Sequence, residues 1–213
     1  MIITVASTKG GVGKTTVAVQ LSTYLKAVKK EDVWLVDGDE QRTALKAITM
    51  RQQNGGDSLP CSSYFTGREM ADQLKAQQEK WKYIIVDVGG RDSGTLRAAL
   101  LRSDLVLIPI PPRSFEFWAI GDIVKIINEA RATFDDFKAR VCTFLNLAEA
   151  QGSDNSDAAE QLNNIAGLEF IDATIRKRKA ITVASSFGQS VFEMKPRDKK
   201  ACDEFENLFS RII

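Results

Sequence analysis

K-G-G-V-G-K-T-T, residues 9–16, comes shortly after the apolar run I-I-T-V-A of residues 2–6, and this succession decides the fold. Successive glycines let neighbouring backbone N–H groups point into one concavity, and a following helix adds the partial positive charge of its N-terminus. We therefore predict a strand, a phosphate-binding loop (the P-loop) and a helix, in that order. Lys14 would reach the β- and γ-phosphates, and the Thr15 hydroxyl would bind Mg²⁺. The rest of the cradle would be formed by Gly10, Gly11, Val12 and Gly13.

The loop departs in one place from the usual P-loop pattern, G-x-x-x-x-G-K-[ST]. Thr8 occupies the position of the first glycine, and a second lysine, Lys9, follows it. A glycine-rich turn that binds nothing is the alternative interpretation. Because a strand, a turn and a helix fall where the motif requires them, the sequence favours a nucleotide site.

Composition indicates a soluble protein with one substantial core. The 213 residues are 44% hydrophobic and 27% charged with a formal net charge of +1, so any affinity for nucleic acid or membrane would have to be local. The chain has no histidine, which excludes Ser–His and Cys–His triads and histidine-bound metals. Cys61, Cys142 and Cys202 form no C-x-x-C pair, which argues for thiols in a reducing cytosol. Without a membrane-length apolar run or a charged n-region, we expect a cytoplasmic protein.

Short apolar, β-branched runs alternate with helical stretches along the chain, which predicts an α/β fold with a single doubly wound, mostly parallel sheet flanked by helices. We expect one domain over residues 1–213, with ligands at the carboxyl ends of the strands. Because the P-loop begins almost at residue 1, no N-terminal helix-turn-helix domain is expected. Predicted strands cover residues 2–6, 33–36, 62–65, 83–88, 105–110, 140–145 and 169–173. Predicted helices cover residues 15–27, 41–52, 68–78, 93–101, 114–132 and 198–213, with loops at 53–60 and 149–157.

Aspartates stand at the ends of two of the predicted strands. Asp37 and Asp39 close the strand 33–36, and Asp87 follows four apolar residues. A carboxylate at the tip of a buried strand beside a P-loop suits the binding of Mg²⁺, directly or through its waters. Any one of these residues could instead cap a helix or a turn. Three of them at two strand ends, after a P-loop, favour the metal and nucleotide role. Asp39 could orient the attacking water.

Four segments together resemble the ParA/MinD family of deviant Walker A ATPases. They are the P-loop, V-D-G-D-E-Q at residues 36–41, I-I-V-D-V-G-G at 84–90 and L-I-P-I-P-P at 107–112. The resemblance extends to G-Q-S-V-F-E at residues 188–193 and is closest to small ParA-type partition ATPases. It implies that ATP is held between two subunits of a homodimer.

The resemblance also implies roles for residues of the P-loop. Lys9 would be the catalytic lysine that reaches across the dimer to the partner's nucleotide. Lys14 would be the catalytic lysine of its own P-loop. Thr15 would bind Mg²⁺, and Thr16 would contact the α-phosphate.

Beyond the P-loop, the resemblance makes Asp39 the residue that activates water, with Asp37 and Asp87 supporting the metal. Asn146 stands where the family often contacts adenine. Glu40 replaces the proline of the family's D-x-D-P-Q segment, which leaves Asp39 intact but changes the first switch loop.

The proline-rich run resembles the family's dimer element, so Pro111 and Pro112 are predicted to contact the partner subunit. Phe115, Phe117 and Trp118 follow it. Aromatic residues at the start of an amphipathic helix can equally belong to the core, and the sequence leaves both interpretations open for these three.

Basic residues are concentrated in residues 176–200, where only Glu193 and Asp198 oppose eight of them. Such a cluster would neutralise phosphates without reading sequence. A solvated basic surface is the usual explanation of such a run, but ParA-type dimers bind DNA non-specifically through this region, which favours DNA binding. The predicted DNA-binding residues are Arg176, Lys177, Arg178, Lys179, Lys195, Arg197, Lys199 and Lys200.

We therefore expect a ParA-type ATPase that dimerises and binds non-specific DNA with ATP and Mg²⁺, becomes nucleoid-associated, and segregates or positions a plasmid, chromosome or other cargo. A cargo-bound adaptor of the ParB type would stimulate hydrolysis and reset it. A MinD-like membrane switch is disfavoured because the polar face of the final helix carries Asp203, Glu204 and Glu206. A P-loop ligase or synthetase would share the cradle but would not need the basic cluster. An iron–sulfur reductase would need paired cysteines, which residues 88–130 lack.

Overall fold

The computed structural model of the chain describes residues 1–112, 117–135, 137–149 and 154–213, with residues 117–119 described by their backbone only. Its strands are β1 Ile2–Val5, β2 Val33–Gly38, β3 Cys61–Ser63, β4 Tyr83–Val88, β5 Leu105–Ile110, β6 Arg140–Ala148 and β7 Glu169–Arg176. Within the described residues these seven strands form one sheet in the order β3-β2-β4-β1-β5-β6-β7. Every neighbouring pair is parallel. The predicted doubly wound α/β fold is therefore confirmed.

Helices cover both faces of the sheet, because its central strands are apolar on both sides and must bury both. They are α1 Lys14–Thr23, α2 Thr43–Gln53, α3 Gly67–Gln77, α4 Gly94–Arg102, α5 Phe117–Thr133, α6 Asp154–Asn163, α7 Lys179–Ser186 and α8 Lys199–Phe209. One core packs α1, α2, α7 and α8 against the sheet. The other core packs α3, α4, α5 and α6 against the opposite face.

The strand order brings the predicted site residues to one edge of the sheet. β4 lies between β1 and β2, and the register places Val5 beside Asp87 and Asp87 beside Asp37. The P-loop leaves the carboxyl end of β1, so it emerges next to both aspartates. This is where ligands of open α/β sheets bind.

The structure differs from the predicted elements mainly in its last third. β6 and β7 both continue beyond their predicted ends at residues 145 and 173. α6 begins inside the predicted loop 149–157 and α7 has no counterpart among the predicted helices. The first turn of α6 is polar enough to resemble a loop, but Ala158 and Leu162 bury an apolar face farther along.

The final helix docks onto its own domain, as its apolar face predicts. Ala201, Phe205, Leu208 and Phe209 are fully buried in the core that also holds α1. The side chain of Asp198 caps the helix by accepting a hydrogen bond from the Ala201 backbone N–H at 3.0 Å. Among the described residues, no helix is both long and apolar enough to cross a membrane.

Candidate functional site

Two glycines give the P-loop its shape. Gly11 and Gly13 have φ values of +77° and +90°, a region that residues with side chains rarely adopt. At Gly13 space is limiting as well, since an added Cβ would lie 2.3 Å from Nδ2 of Asn146. Glycine is therefore required at this position for both its backbone conformation and the close approach of a neighbouring strand end.

The side chain of Asn146 supports the P-loop through a hydrogen bond to its backbone. It is buried, and its Nδ2 donates a hydrogen bond to the carbonyl oxygen of Val12 at 2.7 Å. This contact to the loop was not predicted, and Asn146 also lines the second cavity described below, so its predicted contact to adenine stays a prediction. The sequence could not show the contact to the loop, because the two residues meet only through the pairing of distant strands.

Lys14 is buried at the start of α1, and its Nζ donates a hydrogen bond to the carbonyl oxygen of Lys9 at 2.8 Å. Burial lowers the pKa of Lys14, and the negative charges of Asp87 and Asp39 oppose that shift. Lys9 thus contributes its backbone to the loop. The Lys9 side chain is half-buried.

Asp37 is occupied by backbone groups of the first switch loop, residues 39–42, and of α2. Its Oδ1 accepts a hydrogen bond from the Asp39 N–H at 3.0 Å, and its Oδ2 accepts one from Leu45 at 2.9 Å. Burial raises the pKa of Asp37, and these backbone hydrogen bonds oppose the rise. The residue therefore has the structural role of a helix and turn cap, and metal support by it stays a prediction.

Asp87 is fully buried at the end of β4. Neither of its oxygens accepts a hydrogen bond of ordinary geometry from any residue that the structure describes. Burial raises the pKa of Asp87 to about 7, while the Thr15 hydroxyl and the charge of Lys14 oppose the rise. A buried carboxylate without a partner is costly, so its presence beside the P-loop needs an explanation.

A Mg²⁺ ion fits that orphaned carboxylate. No three potential metal-binding side chains converge anywhere in the described ranges. Mg²⁺ does not require such a cluster, because it usually keeps several waters and is bound by one or two protein groups together with phosphates. The Thr15 hydroxyl and the Asp87 carboxylate therefore meet the requirements of a nucleotide-bound magnesium ion.

The P-loop and both switch loops enclose one cavity of about 620 Å³. The second switch loop, residues 89–92, follows β4 and faces the first across this cavity. Asp39 is half-exposed, and its carboxylate lies 3.6 Å from where a Cβ on Gly89 would be. The lining residues are Gly10, Gly11, Gly13, Lys14, Thr15, Thr16, Asp39, Glu40, Gln41, Thr43, Gly89, Gly90, Arg91 and Leu147. The predicted phosphate residues thus share this cavity with Thr15 and Asp39, whereas Asp37 and Asp87 are not part of its lining.

An ion pair that the sequence did not reveal joins the two switch loops. Nη2 of Arg91 lies 2.8 Å from Oε2 of Glu40. Both residues line the phosphate cavity. The only sequence signal was Glu40 itself, which departs from the family's proline.

A second cavity of about 300 Å³ adjoins the first, and Thr16 and Leu147 line both. Leu147 has a φ of +56° at an irregularity between β6 and β7, a conformation that costs a leucine about 1–2 kcal/mol. The rest of the wall includes Ile175, Ile181 and Phe205. Asn146 and the four basic residues 176–179 also line this cavity, so it combines apolar and polar groups beside the phosphate cavity, as a nucleotide base requires. The sequence did not indicate this cavity, because α7, which lines part of it, was not predicted.

Three of the predicted DNA-binding residues form ion pairs with two acidic residues elsewhere in the chain. Arg176 and Arg178 both bind the carboxylate of Glu204, with N–O distances of 2.9 and 2.6 Å. Burial alone would raise the pKa of Glu204, but the hydrogen bonds from Arg178 and Arg176 lower it overall. Lys177 pairs with Glu149. Counting along the sequence left out these partners, and DNA binding by residues 176–178 stays a prediction.

The other five basic residues differ from those three. Lys179, Lys195, Arg197, Lys199 and Lys200 are exposed. No ion pair involves them within the part of the chain that the structure covers. They lie at the start of α7 and around the start of α8.

The predicted dimer element is only partly described. Pro111 and Pro112 are buried, and their contact with a partner subunit stays a prediction. Phe115 lies outside the described residues, as do the side chains of Phe117 and Trp118. Whether these three aromatic side chains belong to the core or to an interface stays open.

The raised pKa of Asp87 predicts a pH-dependent stability. Between its ordinary value of 3.8 and about 7 the folded protein holds a proton that the unfolded chain has lost. The free energy of unfolding should therefore fall as pH rises through this window, by a few kcal/mol at most. Urea unfolding without nucleotide or metal, at about pH 5 and about pH 8, measures it. Asp87→Asn should flatten the dependence, whereas the same exchange at exposed Asp32 should not. If the free energy of unfolding of Asp87→Asn still falls with pH as it does in the wild type, the pH dependence does not come from Asp87.

The family described as CobQ/CobB/MinD/ParA nucleotide binding domain matches residues 3–191. A maintenance of carboxysome distribution protein A from Halothiobacillus neapolitanus is 26% identical over 212 residues, covering 99% of this chain and 95% of that protein. A protein ParA from Rhizobium radiobacter is 27% identical over 206 residues, covering 97% of this chain and 91% of that protein.

The fold is similarly shared with solved structures. The structure of apo McdA from Cyanthece superposes with a TM-score of 0.82 at 15% identity, covering 100% of this chain and 99% of that one. At this identity the similarity concerns the fold alone.

Proposed function

The chain belongs to the CobQ/CobB/MinD/ParA family of nucleotide-binding domains, and we propose that it is a ParA-type positioning ATPase. In this proposal ATP and Mg²⁺ drive dimerisation and non-specific DNA binding, and hydrolysis stimulated by a partner protein resets the cycle. The observation that carries the proposal is the single cavity of about 620 Å³ that joins a two-lysine P-loop to both switch loops.

Each part of the proposed nucleotide has residues to receive it. The backbone N–H groups of the glycine-rich run and the N-terminus of α1 suit the phosphates. Thr15 and Asp87 would hold Mg²⁺, which would neutralise charge on the phosphate oxygens. The cavity beside Leu147 would take the adenine, with Asn146 supporting the loop between base and phosphates. Asp39 would orient the attacking water.

Lys9 supports a dimeric mechanism. Within its own subunit it contributes a backbone carbonyl to Lys14, and it does not line the described phosphate cavity. By its position in the family's P-loop, its ammonium would serve the nucleotide of the partner subunit. Such a donor is placed by dimerisation, so hydrolysis would be confined to the dimer.

The proposed DNA surface comprises Lys179, Lys195, Arg197, Lys199 and Lys200, which are exposed. DNA binding through exposed lysines and arginines is sequence-independent and sensitive to salt. Each subunit alone would bind weakly. A dimer presents two such surfaces, and the second contact then forms at a high effective concentration. ATP would in this way control DNA binding without changing the surface itself.

The cargo and the partner follow from the relatives only in general terms. One relative is named for carboxysome distribution and another is named ParA. We propose an adaptor of the ParB type on a plasmid, chromosome or protein compartment. A MinD-like role at the membrane has less support, because the apolar face of α8 is already buried in its own domain. A ligase or synthetase role has no specific observation in its favour.

Salt titration of DNA binding tests the proposal. With ATP and blocked hydrolysis, the protein should bind unrelated duplexes alike, and with ADP it should bind at least tenfold more weakly. Replacing Lys195, Arg197, Lys199 and Lys200 by glutamine should weaken binding to every duplex. It should also reduce the slope of log affinity against log salt, by about 0.9 for each DNA phosphate that the variant no longer neutralises.

A control variant with the same loss of positive charge distinguishes binding through this surface from a general effect of net charge. It carries the same exchange at four exposed basic residues on or near α3, namely Arg68, Lys75, Lys80 and Lys82. The control should lower the slope much less than the variant of the proposed surface. Equal slopes for both variants would reject the surface, and equal affinity with ATP and ADP would reject nucleotide control.

A further inference from the structure

The ion pair between Glu40 and Arg91 spans the mouth of the phosphate cavity. Glu40 belongs to the first switch loop and Arg91 to the second, and their side chains are 71% and 70% exposed. Such exposed pairs contribute little to stability and are easily exchanged for another partner. The pair is therefore too weak to lock the loops and is suited to being replaced.

The backbone next to Arg91 is fixed against the P-loop. A Cβ on Gly90 would lie 2.8 Å from the Gly10 nitrogen and 2.9 Å from the carbonyl carbon and oxygen of Lys9. This close approach holds the second switch loop at the beginning of the P-loop. Arg91 is thus anchored at its backbone, while its long side chain can choose between partners.

The position of Arg91 favours the terminal phosphate of a triphosphate. Gly11, Gly13 and the N-terminus of α1 would receive the inner phosphates. The remaining lining of the cavity, towards Asp39, Gly89 and Arg91, would then face the third. A guanidinium binds phosphate through two parallel hydrogen bonds, and a triphosphate carries more charge than one carboxylate.

We propose that Arg91 is a phosphate-sensing residue which Glu40 holds in reserve at the mouth of the nucleotide site. When a nucleoside triphosphate binds, Arg91 leaves Glu40 for the terminal phosphate, and the two switch loops lose their link. A diphosphate does not reach Arg91 and leaves the pair intact. This inference rests on the proposed nucleotide site and names the residue that distinguishes the two nucleotides there.

A double-mutant cycle with Glu40→Gln and Arg91→Gln tests this inference, because both side chains are mostly exposed and neither exchange removes core packing. The probes are a non-hydrolysable ATP analogue and ADP, each with Mg²⁺, and binding is followed by calorimetry. Arg91→Gln should weaken the analogue about tenfold or more and ADP much less. Glu40→Gln should tighten the analogue by about two- to fivefold, since Arg91 no longer has to leave a partner.

The cycle separates exchange of partners from simple charge repulsion. If Glu40 only repelled the phosphates, its removal would tighten binding equally with and without Arg91. Under the proposed exchange, Glu40→Gln should lose most of its effect in the Arg91→Gln background. A matched control is the Glu31–Lys82 pair, 2.6 Å apart near the amino ends of β2 and β4, whose glutamine variants should bind both nucleotides as the wild type does.

Three results would overturn the inference: unchanged affinities in Arg91→Gln, equal losses for the analogue and ADP, or an undiminished effect of Glu40→Gln without Arg91. A wild-type protein that binds neither nucleotide would instead reject the proposed function. The same titrations therefore distinguish failure of the inference from failure of the site.

Discussion

Replacing Lys9 by alanine should lower ATP turnover by about two to three orders of magnitude while leaving nucleotide affinity within a few-fold of wild type. Loss of a single donor that stabilises the transition state has effects of this size. The exchange leaves the backbone of Lys9 in place, and its carbonyl oxygen, which accepts the hydrogen bond from Lys14 at 2.8 Å, survives the mutation. Steady-state phosphate release, with binding of a non-hydrolysable analogue measured in parallel, gives both quantities.

Lys14→Ala is the matched comparison for this experiment. That variant removes a buried ammonium from the P-loop itself and should lose nucleotide binding as well as turnover. The two lysines, five positions apart, would thus separate into one that binds and one that acts across the dimer. Turnover at the wild-type rate in Lys9→Ala would contradict the proposed role of Lys9.

Asp39→Ala should bind ATP, hydrolyse it at least about a hundredfold more slowly, and accumulate as the ATP-bound dimer. The carboxylate is half-exposed and accepts a hydrogen bond from Gln41 at 3.0 Å, so its removal should cost the fold about 1 kcal/mol or less. What the variant loses is the group that positions water near the terminal phosphate.

Single-turnover hydrolysis together with the lifetime of the bound ATP measures this effect. Asp92→Asn is a suitable control. Asp92 belongs to the second switch loop, but its carboxylate forms an ion pair with Arg97 at 2.8 Å. The control should turn over normally. If Asp39→Ala hydrolyses ATP at the wild-type rate, water activation belongs to another carboxylate, and Asp87 would be the first to examine.

The sequence predicted the sheet well because the information is local. The runs that became β4 and β5 are apolar on both faces, and their predicted bounds match the structure. The ends of β6 and β7 were less predictable. They pair with each other through an irregular register that includes the left-handed Leu147, which depends on neighbours distant in the chain.

The features of the site likewise divide into those that local sequence predicts and those that depend on residues distant in the chain. The P-loop could be recognised because its glycines, lysines and threonines act within a few residues of one another. The hydrogen bond from Asn146 to the backbone of Val12 could not, since it joins residues 134 positions apart. Asp87 was placed correctly at a strand end, but only the structure shows that its buried carboxylate accepts no hydrogen bond of ordinary geometry from the described residues.

The local net charge of the sequence was the least reliable basis for predicting the DNA surface. The acidic residues on α8 argue against a membrane role, and one of them, Glu204, also forms ion pairs with both Arg176 and Arg178. A local net charge counts only neighbours in sequence, whereas an ion pair depends on neighbours in space. The DNA surface proposed above therefore rests on the basic residues around the starts of α7 and α8.

The mass of the protein in solution with each nucleotide tests the central claim most directly. Light scattering coupled to size-exclusion chromatography should give a mass near the 23.6 kDa of one chain without nucleotide and with ADP. With ATP and Mg²⁺, the Asp39→Ala variant should elute at twice that mass, and it should return to one chain when Mg²⁺ is removed. A single unchanged mass in every nucleotide state would contradict the account.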